Sequence, residues 1–405
     1  MSLLDRLADE QTWREFRDYK SRHSLMSQRE FDALDAYIAE KRYLPIAESL
    51  AFSLPEKRRI NKSGSTKKRI VYLFPEDENW VLKLLTWLLY RYDGAFCPSC
   101  FSFRRNYTAK TAFRAILCIP DLDAKYVLKA DIHDYFNSMP PDLLVKELAA
   151  VIDDDPPLLA FLTDFFTENR AIDATGPERP VIEESRGAMA GVPLSAFCAN
   201  IYLASLDRLF EERGIPYFRY SDDILILADS AEERDDCFET LKREIAAKGL
   251  ELNPSKVDTA DPGEPWDFLG FRYTADGIDL SEATMRKMKA RIRRKARALY
   301  RWRLRKNADY DRTARAMIRK FNRKFYDIDG ESEFTWSRWF FPVLTKTDGL
   351  RALDEYLVEY IRYLYSGRHY KGNYAVTYDH IKELGFRSLV HEFYRFRETE
   401  RPRSG

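Results

Sequence analysis

The stretch Phe218-Arg-Tyr-Ser-Asp-Asp-Ile-Leu-Ile-Leu-Ala228 decides how the rest of the chain is read. Apolar and β-branched residues flank a polar pair on both sides, the pattern of a buried strand, a tight turn and a second buried strand. Two adjacent carboxylates at such a turn, Asp222 and Asp223, are costly because both ionise at neutral pH and repel each other. A bound divalent cation is the simplest compensation. Asp is also common in solvated turns, so the pair alone leaves two readings open, a metal site or a plain hairpin tip.

Upstream, Tyr126-Val-Leu-Lys-Ala-Asp131 reads as a buried strand that ends on a carboxylate. A strand end bearing one Asp and a hairpin bearing two can meet at one edge of one sheet. Between them lie a helix begun by Pro140-Pro141, an acidic loop near Asp153 to Pro157 and a long helix from about Leu194 to Arg213. After the hairpin, Cys237, Phe238, Leu241 and Ile245 recur at helical spacing, Gly249 ends that helix, and Leu250 to Leu252 reads as a short strand. The order strand, helix, helix, hairpin, helix, strand is the split βαβ arrangement of a ferredoxin-like sheet. Asp131, Asp222 and Asp223 then supply hard oxygen ligands for two Mg²⁺ ions, with Mn²⁺ as a substitute. Such a pair can activate a 3′-hydroxyl and stabilise a leaving pyrophosphate.

The 405 residues are 45% hydrophobic and 14% aromatic, enough for two or three packed subdomains and inconsistent with a disordered chain. The formal net charge is only +1, but Ser281 to Lys306 carries twelve Lys or Arg against one acid on a stretch with helical character. Tyr300 and Trp302 are interleaved with these charges, and nucleic acid is the expected partner. The five cysteines, at 97, 100, 118, 198 and 237, are odd in number and too few for a disulfide framework, which fits a reducing cytoplasm. Cys97-Pro-Ser-Cys100 has a metal-ligand spacing, but no second pair or nearby His completes a tetrahedral set, so two buried thiols are expected. The amino terminus carries no signal-peptide pattern, and the longest apolar stretch, Trp80 to Tyr90, is interrupted by Lys83 and too short to span a bilayer.

Residues up to about 55 read as two or three helices, the second introduced by Ser27 with Glu30 as a capping box. Asn61-Lys-Ser-Gly-Ser-Thr-Lys-Lys-Arg69 is a basic Gly/Ser loop suited to closing over a triphosphate, and it runs into the strand-like Ile70 to Phe74. A buried helix is expected from Glu76 to Tyr92, stopped by Gly94. Beyond Tyr273 the chain reads as helical, with an acidic, Gly-containing loop near Asp327 to Glu333 and a frayed end from Arg401.

In order and spacing, residues 55 to 275 resemble the reverse transcriptases, specifically the bacterial lineage of group II intron, retron and stand-alone defence-associated enzymes. Tyr220-Ser-Asp-Asp223 resembles their Tyr-x-Asp-Asp turn, and Ala130-Asp-Ile-His-Asp-Tyr-Phe136 the strand that carries the first metal-binding Asp. Gly191 to Leu203 resembles the template and nucleotide-binding helix, and Ser102-Phe-Arg104 a fingers motif. Leu252-Asn-Pro-Ser-Lys256 resembles the segment with a Lys near the triphosphate, and Phe268-Leu-Gly-Phe271 the primer grip.

The resemblance implies an α+β right-hand polymerase with fingers, a ferredoxin-like palm and an all-helical thumb and carboxy-terminal region. Its boundaries would be a helical extension over 1–55, fingers over 56–125 and a palm over 126–275, with more of the fingers at 150–185. A basic thumb would follow over 276–330 and a candidate RNA-binding region over 331–405. The implied metal ligands are Asp131, the Ile132 backbone carbonyl, Asp222 and Asp223, with Lys256 as a further catalytic group. Lys67, Lys68, Arg69, Arg104, Phe136 and Gly191 would meet the nucleotide, Phe136 excluding a 2′-hydroxyl, and Phe268, Leu269 and Gly270 would hold the primer. The implied partners are dNTPs, an RNA template that is a cognate non-coding RNA, and a DNA primer or product, with a role in antiviral defence.

Two departures matter. Met189-Ala190-Gly191 stands where the family commonly has Pro-Gln-Gly, and Ser195-Ala196 where it has Ser-Pro. They keep open template-independent or protein-primed DNA synthesis, while a catalytically inactive RNA-binding module is the remaining alternative. The aromatic residues from Tyr363 to Tyr394 suit stacking on single-stranded RNA, but an aromatic core is the favoured reading of them.

Overall fold

The computed structural model describes residues 2–23, 26–61, 68–326 and 335–400. Lys67 and most of the basic loop, the acidic segment 327–333 and the last residues from Arg401 lie outside the described residues. The chain divides into two compact units, with the main boundary between Trp266 and Asp267.

The first unit begins with helices α1 (Glu10–His23), α2 (Gln28–Ala39) and α3 (Leu44–Ser49). Trp13, Phe16, Tyr37 and Tyr43 form their shared core, with Trp13 stacked on Tyr43 at 4.9 Å between ring centroids. Strands β1 (Glu56–Asn61) and β2 (Lys68–Leu73) pair antiparallel, Glu56 opposite Leu73. Helix α4 (Glu76–Leu88) buries Trp80, Val81, Leu82, Leu84, Leu85 and Leu88, so it is a core helix with apolar contacts on several faces. It is shorter than the sequence suggests, because a 3₁₀ segment over Leu89–Ala95 takes over. Helix α5 (Ala109–Leu117) starts from a Thr108/Thr111 capping box.

The chain then forms β3 (Tyr126–Asp131), α6 (Tyr135–Ser138), α7 (Pro141–Ala149), α8 (Pro156–Thr167), β4 (Arg170–Asp173) and β5 (Val181–Glu183). Strands β4 and β5 join the first sheet in the order β2-β1-β4-β5, so residues 170–183 share a sheet with 56–73. Next come α9 (Ser195–Tyr202), α10 (Ala204–Glu212), β6 (Tyr217–Tyr220), β7 (Asp223–Ala228), α11 (Ala231–Ala247) and β8 (Asp258–Ala260). The expected long helix over 194–213 is broken at Leu203, which separates α9, buried except at Ala196, from the amphipathic α10.

Strands β6-β7-β3-β8 form an antiparallel sheet in that order. Numbered by appearance this is second, third, first, fourth, the ferredoxin-like order expected from the sequence. Its fourth strand is displaced from Leu250–Leu252 to Asp258–Ala260, and Leu252 makes only an isolated bridge to Ile132. The reason is local: Pro254 lacks an N–H, and Asn253 caps a 3₁₀ turn over Pro254–Lys256 that must be passed before pairing resumes.

The second unit takes in the end of a small sheet, β9 (Trp266–Phe268), β10 (Phe271–Thr274) and β11 (Gly277–Leu280), in the order β11-β10-β9. Helices follow: α12 (Glu282–Lys306), α13 (Tyr310–Phe325), α14 (Trp336–Phe340), α15 (Asp348–Ser366), α16 (Tyr378–Glu383) and α17 (Leu389–Glu400). Ser281 caps α12, which buries Met288, Ile292, Ala296 and Leu299 at helical spacing and leaves many of its basic residues outward. Among the described residues no helix is long and apolar enough to cross a membrane.

Candidate active site

Register places the carboxylates. β3 and β7 pair so that Asp131 lies opposite Asp223, and β6 and β7 pair so that Tyr220 also lies opposite Asp223. Ser221 and Asp222 are therefore the two central residues of the hairpin turn. Ser221 has φ +61, a left-handed conformation that costs a residue with a Cβ about 1–2 kcal/mol. The turn must be held, and the structure shows by what. The Ser221 N–H donates to Ser102 Oγ at 2.8 Å, Arg219 Nη1 donates to the Ser221 carbonyl at 3.3 Å, and the Ile132 N–H donates to the Asp222 carbonyl at 3.2 Å.

Behind the turn lies a wholly buried polar network. Arg219 Nε and Nη2 donate to the two Asp207 carboxylate oxygens at 2.7 and 2.6 Å, and neither side chain is exposed at all. Arg219 also reaches the Asn200 carbonyl, and the Asn200 side chain exchanges hydrogen bonds with Ser102, whose hydroxyl holds Ser221. Burial opposes the guanidinium charge, but Asp207 more than offsets it and the Arg219 pKa stands well above its ordinary value. Sequence reasoning missed Arg219 and Asp207, and it placed Ser102 and Asn200 in motifs without this positioning role. The signal available was an Arg inside the apolar strand Tyr217-Phe-Arg-Tyr220 and an Asp on the buried face of α10, each requiring a partner.

The site is charged against itself. Burial, then the neighbouring Asp131, raises the Asp222 pKa, while burial, then Asp222 and Asp131, pushes Asp223 up to about 7. Lys256 Nζ lies 2.5 Å from Asp131 Oδ2 and acts as its counter-charge, and Asn253 Nδ2 lies 3.4 Å from Oδ1. Among the described residues no three His, Cys, Asp or Glu side chains close into a metal cage. The donor set still fits a hard divalent cation. It offers the Asp222 and Asp223 carboxyl groups, whose pKa values are raised by burial and then by their acidic neighbours, and an Ile132 carbonyl with no hydrogen bond among the described residues.

The expected nucleotide residues separate into groups. Phe136 is half-buried at the start of α6, edge-on to Phe103 with centroids 6.2 Å apart, and the Arg69 guanidinium lies 5.8 Å from its ring centroid. Phe103, 42% exposed, completes this wall and was not singled out from sequence. Lys68 and Arg69 are exposed on β2, and Arg69 is close enough to lower the pKa of Asp222. Gly191, φ +103, packs over β2 where a Cβ would lie 3.1 Å from the Tyr72 carbonyl oxygen. Ala190 is buried, and its N–H donates to Asn137 Oδ1 at 2.9 Å.

Arg104, expected at the nucleotide, turns inward to Asp93 and to the carbonyls of Cys97 (2.7 Å), Cys100 (3.1 Å) and Asp93 (3.3 Å). It clamps the 93–100 loop, since a guanidinium left 8% exposed must find its partners inside the fold. Cys97 and Cys100 are buried thiols, and Arg219 Nη2 donates to Cys100 Sγ at 3.2 Å. Phe268, Leu269 and Gly270 belong to the second unit, in a turn where Leu269 and Gly270 both have positive φ. The Leu269 carbonyl accepts from Trp339 Nε1 and the Gly270 carbonyl from Thr284 Oγ1.

The sequence matches the profile of the family described as reverse transcriptase (RNA-dependent DNA polymerase) over residues 60–273. Among curated proteins it is 39% identical over 70 residues to the Gag-Pro-Pol polyprotein of Mason-Pfizer monkey virus, 17% of this chain and 4% of the polyprotein. It is 32% identical over 118 residues to the retron Ec83 reverse transcriptase of Escherichia coli, 27% of this chain and 33% of that enzyme. The alignments thus span only a minor part of these relatives. Among solved structures, telomerase from Candida albicans with a fragment of telomeric RNA aligns with a TM-score of 0.44 and 14% identity, over 84% of this chain and 64% of that one. Apo telomerase from Candida tropicalis gives 0.44 and 10% identity, over 82% and 69%. Because the family profile covers more than half of the chain, including Asp131, the Asp222–Asp223 turn and Lys256, the chain belongs to the reverse transcriptase family.

Proposed function

We propose that the chain is an RNA-directed DNA polymerase that adds dNTPs to a 3′-hydroxyl by two-metal-ion nucleotidyl transfer. The observation that carries this reading is the register that sets Asp131 opposite Asp223 beside the Asp222 turn, inside the segment that matches the family. The 3′-oxygen attacks the α-phosphorus, and the bond to the bridging oxygen breaks to release pyrophosphate. Two Mg²⁺ ions, or Mn²⁺, held by Asp131, Asp222, Asp223 and the Ile132 carbonyl would activate the 3′-hydroxyl and offset the charge on the leaving group. Lys68 and Arg69 receive the triphosphate, and Lys256 brings a positive charge to the pyrophosphate or protonates it. Phe136, backed by Phe103, fills the space of a 2′-hydroxyl. Phe268 to Gly270 hold the primer, and the basic residues of α12 grip duplex backbone.

Primer extension with the purified protein, dNTPs and an RNA template tests this directly. Full activity in an Asp222→Ala, Asp223→Ala double variant refutes it. A second reading, template-independent or protein-primed synthesis, is favoured by the buried Ala190 at the position of the family's Gln. It predicts a product whose sequence is unrelated to any added RNA. Tight RNA binding without any dNTP incorporation would instead support a catalytically inactive RNA-binding module. A cognate non-coding RNA template, a role in antiviral defence and a cytoplasmic location extend the first reading. They rest on the sequence resemblance and on five free cysteines, and sequencing of co-purifying nucleic acid with a phage-plating assay tests them.

A further inference from the structure

The aromatic residues of the carboxy-terminal segment divide into two sets: Tyr360, Phe386 and Phe393 are buried core, as their spacing suggests, whereas several tyrosines are not. Among the described residues the exposed tyrosines are Tyr365, Tyr370, Tyr374, Tyr378 and Tyr394, all from one stretch of the second unit. Tyr374 is 65% exposed and Tyr370 54%. Three of them, Tyr370, Tyr374 and Tyr378, line a cavity of about 820 Å³ walled by α15, the 369–374 turn and the start of α17. That volume lies within the range of small-molecule and cofactor sites.

The turn that presents these rings is built rather than loose. Asn373 is buried and pins it, accepting from Ser366 Oγ at 2.7 Å and donating to the Arg368 carbonyl at 2.6 Å. Gly372 leaves room for the Tyr370 ring, which a Cβ there would approach to 2.4 Å. The Arg362 guanidinium lies 4.7 Å from the Tyr374 ring centroid and donates through Nε to the Val376 carbonyl at 3.0 Å. Exposing large rings on a fixed turn has a cost in water that packing does not offset here, and a stacking ligand would.

The polar groups narrow the ligand. The first N–H groups of α17 are taken by Asp354, which accepts from Leu389 at 2.9 Å, Val390 at 3.2 Å and the Ser388 hydroxyl at 2.6 Å. The helix terminus therefore offers no anion site. Glu359 is paired with His369 at 2.8 Å. The side chains of Arg351, Lys371 and Glu355 line the cavity and make no hydrogen bond or ion pair among the described residues. Two free cations and a free carboxylate do not make a polyanion groove. They do match one nucleotide unit, with phosphates against Arg351 and Lys371, and Glu355 accepting from a base amino or imino group.

We infer that this cavity binds an unpaired nucleotide of a single strand, its base stacked on Tyr370, Tyr374 or Tyr378. A base inside a duplex has no free face for such rings, so the site selects splayed-out bases. The inference goes beyond the polymerase reading and does not require incorporation of dNTPs.

The test uses the full chain and 12-nucleotide RNA and DNA oligomers carrying 5-iodouracil, with no dNTP present. Photocrosslinks mapped by mass spectrometry should fall on Tyr370, Tyr374 or Tyr378 with at least one of the two oligomers. A Tyr370→Ala, Tyr374→Ala variant should bind that oligomer about 5- to 150-fold more weakly, the range for one stacked base, while Tyr370→Phe, Tyr374→Phe keeps wild-type binding. Glu355→Gln should alter the preference between cytosine- and uracil-containing oligomers. Crosslinks confined to other peptides, or an unaltered affinity in the alanine variant, overturn the assignment. Loss of polymerase activity with these crosslinks intact would count against the polymerase reading alone.

Discussion

Replacing Asp207 by alanine strands Arg219 in the interior with its charge unpaired. Both side chains are fully buried, and the carboxylate takes two guanidinium bonds at 2.7 and 2.6 Å. Removing one partner of such a pair costs about 3–5 kcal/mol, because the remaining ion keeps its desolvation penalty and loses its compensation. In a unit of this size about 1 kcal/mol lowers the melting temperature by ~2–4 °C, so Asp207→Ala should melt roughly 6–20 °C below the parent. Arg219 also bonds the Ser221 carbonyl, so the strained turn loosens and primer extension falls even where the variant stays folded. Thermal unfolding followed by circular dichroism gives the first quantity, and primer extension well below the transition gives the second. Asp207→Leu combined with Arg219→Met should recover much of the lost stability, since no buried charge remains, but not the activity. An Asp207→Ala protein that melts within about 1 °C of the parent would refute the argument. A double variant no more stable than the single one would refute its charge component.

Three further outcomes are expected. An Asp223 carboxyl held up at about 7, against about 3.9 when unfolded, binds more protons in the folded state between those values, so stability falls as pH rises through that window. Adding Mg²⁺ should therefore raise the melting temperature more at pH 8 than at pH 5, and equal shifts at the two pH values would contradict this. Lys256→Ala removes the counter-charge of Asp131, and kcat for dNTP addition should drop about 10²-fold or more, with an unchanged kcat counting against a catalytic role. Arg104→Ala should lower the melting temperature yet leave the KM for dNTPs unaltered, and the opposite result would return Arg104 to the nucleotide site.

Much of the candidate active site is local in the sequence. β3 occupies Tyr126–Asp131 as its apolar run and terminal Asp suggest, and Ser221-Asp222 is the turn that the flanking apolar strands require. Short apolar runs bounded by polar residues report strands and their ends because burial alone produces the pattern. The fourth strand was misplaced because Leu250–Leu252 has the same local pattern, and only the turn at Pro254 shows that pairing resumes later.

By itself, then, the sequence determined the carboxylate triad, the order of elements around the β6-β7-β3-β8 sheet and the family, all carried by contiguous motifs. Tertiary structure decided what those motifs lean on. Arg219 finds Asp207 twelve residues away, and Ser102 is brought to Ser221 from 119 residues away. Lys256 meets Asp131 across 125 residues, while Arg104 turns into its own loop. Tyr370 and Tyr374 have the spacing of core residues and stand exposed. A helical or alternating pattern states that a residue can be buried, but whether another element covers it depends on packing between segments remote in sequence, which no local window contains.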